Sequence, residues 1–203
     1  MLIKKGQIDP KDYVCPDEIV KNEGWDPFSK EDVIKAMQKA EEIRICKVLK
    51  GENVVMETVF SHPSKIDYIK FAKEKGYKVI FFFIMTRNVE INKERVKIRV
   101  EEGGHPVPFD KIESRFKRSL ENMLRVVKVK VIDELFVIDN TQNYKIVAKV
   151  DFSSGKVWIS EEVLSDETTR ETFEKLKEYT SALERKPTAK LSREERESPP
   201  LSP

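Results

Sequence analysis

The chain has 203 residues, 39% of them apolar and 36% charged, with a formal net charge of +2. That is enough for one α/β domain with a real core, and a charge so near zero excludes a general attraction to nucleic acid or to membrane surfaces. The first residues lack an apolar signal core, the longest apolar run (Val79 to Met85) is far too short to span a bilayer, and Cys15 and Cys46 show no metal-ligand spacing, so a reducing cytoplasm with both thiols buried is expected.

In chain order, Leu2 to Gly6 reads as the last turn of a helix, with Gly6 at the stop position. Asp12 to Cys15 is a short strand, ended by Pro16. Ser29 caps a helix to about Leu49, with Asp32 completing an approximate capping box and Val33, Met37, Ala40, Ile43 and Val48 at helical spacing. Val54–Met56 fits a buried parallel strand. A helix from Ser64 to Lys75 stops at Gly76, and Val79 to Met85 is a second, longer buried strand. Asn88 to Glu102 is helical and ends at Gly103-Gly104. Pro108 and Asp110 open the next helix, whose end is open: Val127, Val129 and Val131 alternate with lysine as in a strand, yet a helix through to Ile132 fits as well. Leu135 to Ile138 is a strand, and Ile146–Val150 with Val157–Ile159 flank Ser153-Ser154-Gly155 as a hairpin. Ser165 or Asp166 caps a last helix to about Arg185, and residues 186–203, with four prolines and no aromatic residue, are expected to be disordered.

Helices alternating with short apolar strands predict a mainly parallel sheet covered on both faces. Ligands of such sheets bind at the carboxyl ends of the strands. The residues there are Asp17-Glu18, Glu57-Thr58, Thr86-Arg87 and Asp139-Asn140. Asp17 is the candidate base, because a strand-end carboxylate can take the proton of an attacking hydroxyl; an N-cap role suits it too. Charge is uneven along the chain: residues 87–130 hold twelve Lys/Arg against seven Asp/Glu, a local +5. Such a segment in a near-neutral protein suits a small anionic ligand. Within it, Arg95 and Arg99 share one helical face and Arg115 and Arg118 another. Two arginine-bearing helices joined by Gly103-Gly104-His105-Pro106-Val107-Pro108 make a lid able to neutralise the oxygens of a phosphoryl group, although a solvated basic face would have the same pattern.

Cys15-Pro16-Asp17-Glu18-Ile19, Met56-Glu57-Thr58-Val59-Phe60-Ser61, the strand Val79–Met85, Arg95 and Arg99, the 103–108 loop, Ser114-Arg115-Phe116-Lys117-Arg118-Ser119-Leu120-Glu121-Asn122 and Asp139-Asn140-Thr141 together resemble the zeta-toxin-like P-loop kinases, over roughly Tyr13 to Val150. The resemblance implies a three-layer P-loop α/β fold and an ATP- and Mg²⁺-dependent kinase acting on a hydroxyl of a small molecule. UDP-N-acetylglucosamine is the substrate of the better-known members, which an antitoxin restrains. It further implies Asp17, Arg99, Arg115 and Arg118 as catalytic residues, Glu57, Thr58 and His105 as substrate-binding, and Arg95 and Asn140 as nucleotide-binding; no residue of this sequence is assigned as a metal ligand, because the family's Mg²⁺-binding hydroxyl belongs to the phosphate loop.

The chain departs from that pattern in one respect. A P-loop needs G-x-x-x-x-G-K-[ST], and the seven glycines, at 6, 24, 51, 76, 103, 104 and 155, nowhere supply it. In the family the motif precedes the Asp-Glu strand by one helix, so residues 2–6 would be the end of that helix. The expected organisation is therefore a kinase domain over 1–160 without its first strand and phosphate loop, a C-terminal helix over 161–185 and a tail over 186–203. Without that central strand, transfer by these residues alone should be very slow or absent, and the exposed strand edges should make them prone to aggregate. A non-catalytic relic that binds a nucleotide-sugar or a protein partner is the alternative, and a nucleic-acid module ranks below both, since only Phe109 and Phe116 offer aromatic rings in the basic segment.

Overall fold

The computed structural model describes residues 9–104 and 106–183. The expected helix end at 2–6, His105 and the 186–203 tail lie outside them. The fold divides into two units, one formed by Met1–Tyr77 with Lys93–Ser119, the other by Lys78–Asn92 with Leu120–Pro203.

The first unit begins with a 3₁₀ turn, Pro10–Asp12, capped by the Asp9 side chain on the Lys11 amide. Pro16 fixes φ for the first turn of α1, Pro16–Asn22, whose N-cap is Cys15. A thiol is a poor acceptor, and it makes no capping bond. Ser29 behaves as its chemistry demands: its hydroxyl accepts from the Asp32 amide, starting α2, Lys30–Leu49. The buried stripe of α2 is Ala36, Ala40, Arg44 and Val48. Ala40 and Val48 of the expected stripe are buried, but Met37 is exposed and Ala36 and Arg44 take the remaining buried places. Gly51, at φ +74°, ends α2. The helix α3, Ser64–Glu74, buries Ile66, Ile69 and Ala72. Tyr77 donates its hydroxyl to the Glu52 carbonyl at 2.8 Å, tying the segment after α3 to the segment after α2.

Tyr13 and Val55 form a parallel bridge. The Val14 amide donates to the Val55 carbonyl (2.9 Å) and the Val55 amide to the Asp12 carbonyl (2.7 Å). The two short strands expected at 12–15 and 54–56 are therefore reduced to one bridged pair. Val54, Val55 and Met56 are half-buried rather than buried.

The second unit is a four-stranded mixed sheet in the order β1 (Ile80–Met85), β2 (Glu134–Asp139), β3 (Lys145–Asp151), β4 (Lys156–Ile159). The β1–β2 pair is parallel, from Ile80 opposite Glu134 to Met85 opposite Asp139. The other two pairs are antiparallel, with a register shift at Val137/Ile138. The expected mainly parallel sheet thus holds only for β1–β2, because tight connections join β2, β3 and β4. Leu135, Val137, Val147, Ala148 and Val150 are buried. So are Met123, Val126 and Val127 and, further along the chain, Phe173 and Leu176. Alternate residues of β1, Ile80, Phe82 and Ile84, are exposed by about half. Burial on one face only corrects the reading of this run as a fully buried strand.

Helix α4, Val89–Glu101, starts in the second unit and ends in the first. Helix α5, Phe109–Val129, returns. The strand-or-helix choice at 127–131 resolves as helix to Val129, with Lys130 turned to φ +55°. The last expected helix is two: α6, Glu161–Ser165, capped by Ser160, and α7, Arg170–Thr180. Asp166 sits between them and accepts from the Thr168 and Thr169 amides.

Candidate functional site

The bridge at Tyr13 and Val55 sets the geometry of the acid rim. Asp17 and Glu57 both follow this single bridge on its carboxyl side, Asp17 four residues after Tyr13 and Glu57 two after Val55. Asp17 lies in the first turn of α1 and is exposed; Cys15, not Asp17, is the N-cap. Glu57 and Thr58 are exposed in the segment that follows Met56.

That segment is tightly held. Phe60 is buried (3% exposed) and adopts φ +56°, the left-handed region that disfavours a side chain. The Thr58 hydroxyl accepts from the Phe60 amide at 3.1 Å. A buried aromatic ring in a strained conformation means that the surrounding packing over-determines the turn. The turn carries Glu57 at its start.

Behind the rim, Arg44 is 6% exposed. Its Nη2 donates to the Val14 carbonyl at 2.9 Å, while Nε is buried with no partner among the described residues. Burial pulls the Arg44 pKa below the usual guanidinium range, against the influence of Tyr68, Cys15, Glu41 and Tyr13. Tyr68 is pushed up to about 12, chiefly by burial. Tyr13 is also raised, by burial first and then by the nearness of Cys15 and Glu57. Cys15 is half-buried and Cys46 exposed, which corrects the expectation of two buried thiols.

The arginines sit on α4 (Arg95, Arg99) and α5 (Arg115, Arg118), on either side of the turn that joins them. Lys93 pairs with Glu113 at 2.5 Å and lies over the Phe109 ring at 5.9 Å, clamping the two helices together. Gly103 takes φ +89° and the Gly104 amide donates to the Arg99 carbonyl at 2.8 Å. A Cβ on Gly104 would stand 2.7 Å from the Arg99 Cγ, so the second glycine lets the loop close against that side chain's base. Arg95, Arg99, Arg115 and Arg118 are all exposed. Asp17, Glu57, Thr58 and these arginines belong to the first unit.

Asn140 belongs to the second unit, half-buried after β2, with its amide donating to the Met85 carbonyl at 2.7 Å. Beside it the Arg87 Nε donates to Asp139 at 2.7 Å, and its other nitrogens meet Glu162 and, at 3.6 Å, Asp166. Lys145 pairs with Glu162 as well. Burial works to raise the Asp139 pKa, but hydrogen bonds from Thr141 and Arg87 outweigh it and hold the carboxyl below its ordinary value. Glu162 is lowered by Lys145 and Arg87, and Asp166 by Thr168. Thr86-Arg87 and Asp139-Asn140 stood out in the sequence as strand-end residues. That they would bond to α6 did not, because Glu162 and Asp166 lie in a helix of only five residues and the turn after it.

ATP needs a phosphate cradle between a strand and a helix N-terminus. The glycines at positive φ do not provide one: Gly24, Gly51, Gly76 and Gly103 follow helix ends, and Gly155 turns the β3–β4 hairpin. Among the described residues no group of three or more His, Cys, Asp or Glu side chains is placed to hold a metal ion. The residues present therefore do not by themselves fit MgATP.

An α/β protein with a four-stranded mixed sheet and an arginine-bearing helical hairpin is the class that these features define. The zeta toxin family profile matches residues 29–149, more than half of the chain. The chain belongs to the zeta toxin family. An uncharacterized protein of Haemophilus influenzae is 41% identical over 61 residues, which covers 30% of this chain and 44% of that protein. The chain thus matches less than half of that relative's length. No solved structure matches it. Among the described residues no helix is long and apolar enough to cross a membrane.

Proposed function

We propose that this chain supplies the acceptor side of a zeta-toxin-type phosphoryl transfer: it binds a small hydroxyl-bearing anion, such as UDP-N-acetylglucosamine, and Asp17 takes the proton of the hydroxyl that becomes phosphorylated. The observation that supports this reading is the parallel bridge of Tyr13 with Val55, which Asp17 and Glu57 each follow in the chain.

The roles follow from the chemistry of each group. Glu57, on its strained and therefore fixed turn, accepts hydrogen bonds from substrate hydroxyls and orients the ring. Thr58, whose hydroxyl already bonds the Phe60 amide, keeps that turn in shape. Arg99 and Arg115, with Arg118, present guanidinium forks suited to phosphate oxygens of the substrate. Arg95 and Asn140 are proposed nucleotide contacts and His105 a substrate contact. The phosphate cradle for ATP is not among these 203 residues, so ATP-dependent activity requires a cradle from outside them, and no transfer step is assigned to the chain alone. The missing cradle also favours a second reading, in which the chain binds the nucleotide-sugar without chemistry. In either case the setting is the cytoplasm, and an antitoxin is a candidate partner by membership of the family.

Calorimetry with UDP-N-acetylglucosamine tests the reading. Saturable binding is expected, weakened about tenfold or more by Glu57→Gln through the loss of charge-assisted hydrogen bonds. Asp17→Asn should leave affinity within a few fold, because a base acts on the reacting proton rather than on binding. An absence of binding, or equal affinity of Glu57→Gln and the parent, rejects the reading.

A further inference from the structure

We propose that Tyr13 is a positioning residue for Glu57, its phenol steering the carboxylate toward an acceptor hydroxyl at the acid rim. The inference deepens the acceptor reading and rests on it for the role of Glu57. It stands on three features of the structure.

The first is register. In a parallel pair, residues opposite each other point to the same face, and the pattern repeats every second residue. With Tyr13 opposite Val55, the side chains of Tyr13, Cys15, Val55 and Glu57 share one face. Tyr13 and Glu57 stand diagonally across the bridge, and both Cys15 and, more weakly, the Glu57 carboxylate act on the phenol. The second is restraint of the Glu57 turn. Phe60 at φ +56° and the Thr58 hydroxyl hold the residues after Glu57, so the carboxylate's remaining freedom lies in its own rotamers. The third is support beneath Tyr13. Arg44 donates to the Val14 carbonyl at 2.9 Å from a buried position, pinning the residue between Tyr13 and Cys15.

The groups that face the phenol are Cys15, Glu57 and, through its charge, Arg44. Burial and the Cys15 and Glu57 neighbours all favour the neutral phenol. A phenol that stays protonated is a permanent donor, and a carboxylate offered a fixed donor settles on one orientation. Sequence patterning offers no sign of this. Tyr13 looks like a strand residue two positions before a Cys-Pro pair.

The test has two arms. In the first, Tyr13 of the full chain is followed by NMR with ¹³Cζ-labelled tyrosine, its signal assigned by loss in Tyr13→Phe. The onset of its titration is expected to move to lower pH in Glu57→Gln, an exposed substitution that should leave the fold intact. An unchanged onset overturns the proposal, and this arm needs no ligand. In the second arm, UDP-N-acetylglucosamine affinity is compared across Tyr13→Phe, Glu57→Gln and the double variant. Tyr13→Phe is expected to bind several-fold more weakly, and the double variant no more weakly than Glu57→Gln alone. Multiplying losses would mean that the two residues act independently, which overturns the proposal. If the parent binds no nucleotide-sugar, the acceptor reading fails on its own account, and the first arm still decides whether Tyr13 and Glu57 are coupled.

Discussion

Arg44 shows how a single residue can couple core and rim. It is buried, bonds one carbonyl in the strand that leads to Asp17, and leaves Nε without a partner among the described residues. Removing it to Ala leaves a void and an unsatisfied carbonyl, which should cost about 3 kcal/mol. Met keeps the volume and removes the orphan nitrogen, so Arg44→Met should cost clearly less. Urea unfolding of both variants checks the order, and equal losses would mean that charge rather than volume matters at this position. Arg87 is the counterpart in the second unit. Asp139, Glu162 and Asp166 are all held below their ordinary values. Depressed carboxylates stabilise the fold in full above the unfolded values, 3.8 for Asp and 4.5 for Glu. That stabilisation is lost as pH falls through the lower folded values. Arg87→Met should therefore destabilise the second unit by about 2 kcal/mol at neutral pH. It should also flatten the fall in stability below about pH 4, as measured by thermal unfolding across pH.

At the scale of elements, β1 divides cleanly between its two faces. Phe83 and Met85 are buried, while Ile80, Phe82 and Ile84 are exposed by about half, with Phe82 stacked on Phe136 at a centroid distance of 5.0 Å. An apolar strand face open to solvent is an aggregation hazard. Ile80→Thr with Ile84→Thr should lower light scattering at a given concentration and cost less than about 1 kcal/mol. Phe83→Ala should cost about 3 kcal/mol or more. If the double variant unfolds the protein, that face is not the free surface it is taken to be. Helix starts and stops were legible because they rest on local chemistry: Ser29 before Asp32 and the glycines at 51, 76 and 103 all stand where helix ends fall. The buried stripe of α2 was legible only in part. Ala40 and Val48 were read correctly, but Val33, Met37 and Ile43 are more apolar than Ala36 and Arg44, which are the residues buried beside them. A helix start at Ser165 or Asp166 could be read, but the short helix before it could not, since Ser160 starts a helix of five residues, too short to show a period.

For the molecule as a whole, the two acids of the proposed rim could be named from the sequence, and the backbone around them could not. Asp17 and Glu57 could be found because polarity resumes where parallel strands end. That they share an edge depends on the pairing of Tyr13 with Val55, which is one bridge long and leaves no sequence pattern. Phe60 in a left-handed conformation and Arg44 behind the strand are equally invisible in composition, since a buried Arg looks like any charged helix residue. The missing phosphate cradle, by contrast, is a statement about seven glycines and could be read directly. The central claim of the proposal is that Asp17 and Glu57 face one bound acceptor and that these residues hold no phosphate cradle for ATP. Backbone NMR of the chain titrated with UDP-N-acetylglucosamine, and separately with MgATP, tests it most directly. Saturable shifts at residues 15–18 and 56–60 with the nucleotide-sugar, and none with MgATP, are the predicted result. Nucleotide-sugar shifts confined to other parts of the chain, or micromolar binding of MgATP, would contradict it.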